Sequence, residues 1–424
     1  MRENTSLNRR QVLALTGAAL LPAPMVMAQG RPRVVVIGGG AGGATVARYL
    51  AKDGGGAIEV VLVEPAHRYD SCFFSNLALG GFWEFAALGH GYDGLAGVQL
   101  VQDWATGIDR DARRVALGGG GSVSYDRLVI APGIDFVGGA VPGWDVASQQ
   151  AMPHAYKGGR QIRLLKAQIE AMREGGTFAM IAPPNPYRCP PGPYERVSMV
   201  AHLLAQSNPS AKILIIDPKE SFAKQALFEE GWQNHYPGMI TRIGPDFGAG
   251  NIEVRPETME IVIDGEPEKV DVCNVIPAQQ AGMIAVDAGL TDETGWVPVR
   301  PEDMRSRLDE AVTVLGDAAA QGDMPKSAFA ANSQAKVVAH ALRAELTGST
   351  APAPRYLNTC WSLIAENDGV RVGATYAPAE GKITALDSFV SQPGEGAERR
   401  QQTFLESVDW YRAISADIFG SSSS

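Results

Sequence analysis

The chain has 424 residues and a formal net charge of −10 at pH 7, with 45% apolar and 20% charged residues. That apolar content is enough to bury more than one core, which excludes a disordered chain and leads us to expect two or three domains. With no basic excess to displace phosphate counterions, a nucleic-acid partner is excluded too, whereas an acidic surface suits a basic protein.

Residues 1–30 read differently from the rest. Asn8-Arg9-Arg10-Gln11-Val12-Leu13 is a twin-arginine pattern, followed by an apolar run from Val12 to Leu21 and a small-residue end at Val26-Met27-Ala28. This is the order of a signal peptide cleaved after Ala28, and it predicts a protein exported already folded to a bacterial periplasm. No later segment approaches the ~20 apolar residues needed to span a bilayer, so the mature protein is expected to be soluble.

Beyond the signal, the pattern is α/β. Residues 31–145 and 281–350 read as one discontinuous dinucleotide-binding domain, 146–280 as a second Rossmann-like domain, and 351–424 as a C-terminal α+β domain. Arg33 to Ile37 is a continuous β-branched run of the kind buried in a parallel sheet, and it opens into Gly38-Gly39-Gly40-Ala41-Gly42-Gly43 and a helix through Leu50. In this Gly-x-Gly-x-x-Gly turn, Gly38 permits the tight bend and Gly40 lets a pyrophosphate approach the backbone. Gly43 allows close helix–strand packing, and Ala41 and Gly42 complete the loop at the helix N-terminus. The next strand, Glu59 to Val63, ends at Glu64, placed to accept hydrogen bonds from a ribose. Strand Arg127 to Ala131 ends in Pro132-Gly133, where two-dinucleotide flavoproteins close this half-domain.

Strand Thr177 to Ala182 is placed to open a second nucleotide unit, but the glycine turn is replaced by the proline-rich stretch Pro183 to Pro193. Proline removes amide donors and stiffens the turn, so this loop cannot cradle a pyrophosphate. Helix Tyr194 to Gln206 and strand Lys212 to Ile216, ending at Asp217, complete a Rossmann-like unit that has lost its nicotinamide. Short strands follow between Glu253 and Ala278. Ala311 to Leu315 is an apolar strand ending in Gly316-Asp317, the pattern by which this flavoprotein class holds the FAD ribityl chain, and helix Ser327 to Leu346 points its N-terminus toward the cofactor. Gly348 to Arg355 reads as a linker. Strand signals then occur at Val370 to Tyr376 and Lys382 to Val390, with a helix from Thr403 to Ile418 and a disordered serine tail.

Four cysteines, Cys72, Cys189, Cys273 and Cys360, are too few and too scattered for a disulfide scaffold or a zinc site, and no metal is expected. In an oxidising compartment each must be paired, buried or chemically committed. Cys72 lies where flavin disulfide reductases carry a redox pair of cysteines, but it is single. It is either an inert buried thiol or the partner of a thioether to the 8α-methyl carbon of a flavin. Cys189, in the proline-rich loop, and Cys360 both sit in loop-like contexts where a domain meets the flavin half. If they meet they should pair, as a structural cross-link or as a redox centre. Cys273 reads as a strand-core residue.

Taken together, the twin-arginine signal, Gly38 to Gly43, Glu64, Cys72-x-x-Ser75-Asn76, Cys189-Pro190-Pro191-Gly192-Pro193-Tyr194-Glu195-Arg196, Gly316-Asp317 and Cys360-Trp361-Ser362 form one pattern. On it, the mature chain resembles the flavoprotein subunit of flavocytochrome c sulfide dehydrogenase and is similar to the related flavoprotein of the thiosulfate-oxidising Sox system. The resemblance implies a glutathione-reductase-like FAD fold, an 8α-S-cysteinyl FAD on Cys72 with Asn76 among its contacts, a redox-active Cys189–Cys360 disulfide, and Glu195 as acid/base. Hydrosulfide would attack that disulfide, and a c-type cytochrome would take the electrons singly. No Cys-x-x-Cys-His occurs, so the haem would belong to another chain. A sulfide:quinone reductase shares the folds and the disulfide logic, but it calls for an amphipathic, membrane-docking C-terminus, where Trp410 to Phe419 is short and mixed. The proline loop speaks against an NAD(P)H-dependent disulfide reductase. A flavoprotein partner without turnover is the non-enzymatic alternative.

Overall fold

The structure, a computed structural model, describes residues 30–420; the expected signal segment and serine tail lie outside them. The first β-branched run forms β1 (Arg33–Ile37), with Val34, Val35 and Val36 fully buried, and leads through the glycine turn into α1 (Gly43–Asp53) and β2 (Glu59–Val63). β3 (Val98–Val101) and β4 (Arg127–Ile130) complete this half. The second unit runs α2 (Arg160–Glu170), β5 (Thr177–Ile181), α3 (Gly192–Ser207), β6 (Lys212–Ile216), α4 (Gln225–His235), β7 (Ile240–Ile243) and β8 (Val272–Val275). The chain returns to the first unit with β9 (Val312–Val314) and α5 (Ala328–Thr347), then ends in β10 (Tyr356–Ala365), β11 (Asp368–Ala379), β12 (Lys382–Val390) and α6 (Ala397–Phe419).

β9-β4-β1-β2-β3 is a five-stranded parallel sheet, and α1 and α5 pack together beside it. β1 lies in the middle, covered on both faces, which is why its sequence is apolar without alternation. The second sheet, β7-β6-β5-β8, is also parallel throughout. Two short antiparallel strands, Ile134–Phe136 and Gln279–Ala281, carry the chain between the two units. In such sheets, ligands bind beyond the carboxyl ends of the strands.

The third unit is the antiparallel sheet β10-β11-β12 with α6 packed on β11. Here the structure corrects the sequence reading. Cys360 is not in a loop but in the ten-residue strand β10. That strand carries a polar inward face, with Asn358 2% and Ser362 3% exposed, because it is clamped against α3, α4 and α5 rather than against an apolar layer. α6 likewise begins at Ala397, six residues before the expected start, in a polar turn that ion pairs of Arg400 draw into the interior.

Candidate active site

A cavity of about 520 Å³ opens between the glycine turn, the proline-rich loop and β10, within the ~300–1,000 Å³ range of cofactor sites. Gly38 holds φ +95°, and a Cβ there would lie 2.5 Å from the Ala131 carbonyl oxygen. Gly43 sits beneath the cavity, where a Cβ would come within 1.9 Å of the Gly38 oxygen. Gly40, Ala41 and Gly42 face the cavity directly. Gly42 caps α1 with no side-chain bond, and although Ala44 N donates back to the Gly40 carbonyl at 3.0 Å, the Gly43 N–H at the helix start is available to an anion. Glu64 lines the cavity with its oxygens accepting from Gly39 N at 2.7 Å and Ala66 N at 2.9 Å.

At the far wall, Pro132 and Gly133 follow β4, and Gly316-Asp317 follows β9. The Oδ1 atom of Asp317 is buried and receives no hydrogen bond, while Oδ2 lies 3.6 Å from the Arg188 guanidinium. Burial pushes the Asp317 carboxyl up, against the pull of Arg188 and Lys326. A buried acceptor without a donor, opposite an uncapped helix N-terminus, fits a ligand with hydroxyls at one end and a pyrophosphate at the other. The residues present therefore fit a dinucleotide.

The sulfur chemistry lies in the same cavity, which Cys72, Cys189 and Cys360 all line. Cys72 Sγ is 3.7 Å from the Tyr69 hydroxyl, and the Ser75 hydroxyl donates to its carbonyl at 2.6 Å. Cys189, at φ 55°, closes the turn before α3: its N–H donates to the Lys326 carbonyl, and its carbonyl accepts from Gly192 N, both at 2.7 Å. Cys189 and Cys360, the two thiols for which the resemblance implies a disulfide, line the same cavity, and burial pushes both thiols up. Cys273 lies apart, fully buried in β8 opposite Ala179.

Glu195, in the first turn of α3, joins all three units. It accepts from Asn76 Nδ2 at 2.8 Å and from Leu363 N of β10 at 3.0 Å. Desolvation pushes its carboxyl up, offset in part by these bonds and by Lys224 and Arg196. Asn76 faces the cavity, but its second amide hydrogen goes to the Gly192 carbonyl and its oxygen accepts from Arg196 Nε. Its amide therefore holds Glu195 in place. Two cations were given no role in the sequence reading. Arg196 is 2% exposed, and Lys224 reaches β10 from the turn before α4. Arg196 closes the Cys189-to-Arg196 segment and Lys224 belongs to no motif, and only the packing of distant segments shows what either of them touches.

In the second unit the strand-end carboxylate is sealed. Asp217 is 0% exposed and accepts from the Tyr194 hydroxyl at 2.7 Å and Arg242 Nε at 3.1 Å, with Lys219 Nζ 2.7 Å away. The Tyr194 and Phe222 rings stack at 3.5 Å, and with the Tyr194 hydroxyl bonded to it the buried Asp217 carboxylate is not open to a ribose. Among the described residues, no group of three or more His, Cys, Asp or Glu is placed to hold a metal, and no helix is long and apolar enough to cross a membrane.

The chain is similar to known families and proteins. Residues 162–277 match the central domain of the sulfide dehydrogenase (flavocytochrome c) flavoprotein chain, 352–419 match the flavocytochrome c sulphide dehydrogenase flavin-binding domain, and 32–166 match pyridine nucleotide-disulphide oxidoreductases. A sulfide dehydrogenase (flavocytochrome c) flavoprotein chain of Chlorobaculum thiosulfatiphilum is 53% identical over 47 residues, which are 96% of that sequence and 11% of this chain. The mitochondrial sulfide:quinone oxidoreductase of Mus musculus is 24% identical over 298 residues, 67% of this chain; the match spans 65% of the mouse protein's length. Among solved structures, the sulfide:quinone oxidoreductase of Aquifex aeolicus superposes with a TM-score of 0.69 at 16% identity, covering 92% of this chain and 93% of that one.

Proposed function

Because this chain belongs to the family of flavocytochrome c sulfide dehydrogenase flavoprotein chains, we propose that it oxidises sulfide, or a related sulfur compound, through a Cys189–Cys360 disulfide and passes the electrons to a c-type cytochrome. The observation that carries this reading is the convergence of Cys72, Cys189, Cys360 and Glu195 on the cavity of the glycine turn. Bound FAD supplies the electron sink between the sulfur and the cytochrome. The amides of Gly40 to Gly42 would hold its pyrophosphate, the free Oδ1 of Asp317 would accept from its ribityl hydroxyls, and Cys72 would be the residue that tethers it through a thioether.

Hydrosulfide bonds to one sulfur of the disulfide, the S–S bond breaks, and the other sulfur keeps the electron pair as a thiolate. Glu195, its carboxyl raised by burial, takes the proton of the persulfide. The proline-rich loop keeps Cys189 stiffly placed, and the sealed Asp217 supports sulfur rather than a nicotinamide as the electron source. Export to the periplasm rests on the Arg9-Arg10 segment.

A quinone acceptor is the second reading, favoured by the match to the mouse protein. Against it, Tyr411 and Phe419 of α6 face the interior, 2% and 3% exposed, rather than offering an aromatic membrane face. One preparation tests both readings. Sulfide should bleach the flavin and reduce horse-heart-type cytochrome c, Cys189→Ser should abolish this, and acid denaturation should leave flavin on the Cys72 peptide. Reduction of a soluble quinone in place of cytochrome establishes the second reading. A flavin that ignores sulfide sinks both.

A further inference from the structure

Lys224 stands at the junction of the second and third units. It precedes α4 with a left-handed φ of 65°. Its ammonium donates to the Ser362 hydroxyl at 2.8 Å and to the Cys360 carbonyl at 3.2 Å, with the Val370 carbonyl of β11 at 3.5 Å. Among the described residues no carboxylate forms a direct ion pair with it; the anionic groups it faces are Glu195 and, once ionised, Cys360 and Cys189. Lys224 is half-buried, and an ammonium drawn partly out of water without a paired carboxylate is costly; a thiolate beside it offsets that cost.

The surroundings of the two thiols are unequal. Cys360 Sγ has Asn358 Nδ2 at 3.5 Å, the Ser327 hydroxyl nearby, and Lys224 bound to its own carbonyl. Cys189 Sγ receives no hydrogen bond from any described residue. The cations other than Lys224 that act on it bond elsewhere: the Arg188 guanidinium goes to the Asp317 carboxylate and the Tyr156 carbonyl, and the Arg196 guanidinium to the Asn76 and Asn274 side-chain oxygens and the His154 carbonyl. The remaining titratable groups facing the pair are Glu195 and Arg196 on α3, Tyr156 and Tyr187 beside Cys189, and Tyr376 on β11.

We propose that Lys224 is a positioning residue that makes Cys360 the thiolate of the pair and leaves Cys189 as the sulfur to which the substrate adds. The inference rests on the disulfide chemistry proposed above and gives it an order. Hydrosulfide bonds to Cys189 Sγ, the bond to Cys360 breaks, and its electron pair stays on Cys360 Sγ, within the field of the Lys224 ammonium. The persulfide forms on Cys189. Burial lowers the Lys224 ammonium to about 8, so its charge is present through neutral pH and fades as the pH rises past that value.

The test labels the reduced holoprotein with iodoacetamide between about pH 6 and pH 9 and quantifies the Cys189 and Cys360 peptides separately by mass. At neutral pH, Cys360 should label about tenfold faster than Cys189 or more. Lys224→Met should raise the Cys360 midpoint by ~1–3 pH units, the range for removing a nearby opposite charge. Lys224→Arg, a permanent cation, should keep the wild-type order. Equal labelling, faster Cys189, an unlabelled Cys360, or a Lys224→Met profile like the wild type's overturns the proposal. The wild-type comparison needs no variant to fold. Because labelling involves no sulfide turnover, its result is separate from whether sulfide is the substrate.

Discussion

At the scale of single residues, burial sets the chemistry more than residue type does. Glu195 and Lys224 are ordinary surface residues by composition, and each acquires a shifted proton affinity only because three segments close around it. His154 shows the same effect in a form that can be measured. It is 5% exposed, packs on the Phe136 ring at 4.8 Å, and accepts from Tyr156 N at 2.9 Å. Desolvation, with the charges of Lys157, Arg196 and Arg188, lowers its imidazole to about 3. An unfolded histidine titrates near ~6.5, so the unfolded chain takes up the proton first. Its contribution is therefore complete above that pH and is lost as the pH falls toward the folded value. Stability should drop by up to ~1.4 kcal/mol per pH unit between about pH 6 and pH 4. Urea midpoints read this, and His154→Gln should flatten that part of the curve; superimposable curves would show that His154 plays no part.

At the scale of elements, the glycine turn is the most legible feature because backbone geometry alone demands it. At Gly43 a Cβ would lie 1.9 Å from the Gly38 oxygen. Gly43→Ala must push α1 away from β1, which should cost ~1–3 kcal/mol of stability and release FAD on gel filtration. Gly250→Ala, at a position with open space and no positive φ, is the matched control and should leave both unchanged. β1 and β5 were legible as strands because both faces are buried and the sequence is uninterrupted. β10 was not. Its buried side chains include Asn358 and Ser362, whose partners are Ser327 and Lys224, and a period-two search for apolar residues passes over such a strand.

At the scale of the whole molecule, the site exists only where three units meet, so contacts between units should control stability as well as function. Arg400 of α6 is the clearest of these. It pairs with Glu230 of α4 at 2.9 Å and with Asp368 of β11 at 3.0 Å. Arg400→Met removes the cation shared by Glu230, Asp368 and Glu395, and because Asp368 keeps His235 at 2.9 Å and Glu230 keeps 28% exposure the loss should be ~1–3 kcal/mol, below the ~3–5 kcal/mol of a fully buried pair. A thermal melt followed by flavin fluorescence should show the midpoint fall in proportion; an unchanged midpoint would mean the third unit is held by its apolar contacts alone.

The amino-acid sequence by itself determined the local elements: the glycine turn with its acidic strand end, the proline loop in place of a second such turn, Gly316-Asp317, and the identities of Cys72, Cys189, Cys360 and Glu195 as chemically notable residues. The turns and strand ends are decided by steric or bonding demands within a few residues, while the roles of the cysteines and Glu195 are what the family resemblance implies. Only the tertiary structure decided that the three thiols share one cavity, that Asp217 is sealed by Tyr194 and Arg242, that Asn76 holds Glu195, and that Lys224 reaches Cys360 across 136 residues of chain. The physical reason is that such meetings depend on how the surfaces of separate sheets and helices fit together. That fit is distributed over the buried faces of all three units, and no local spacing encodes it.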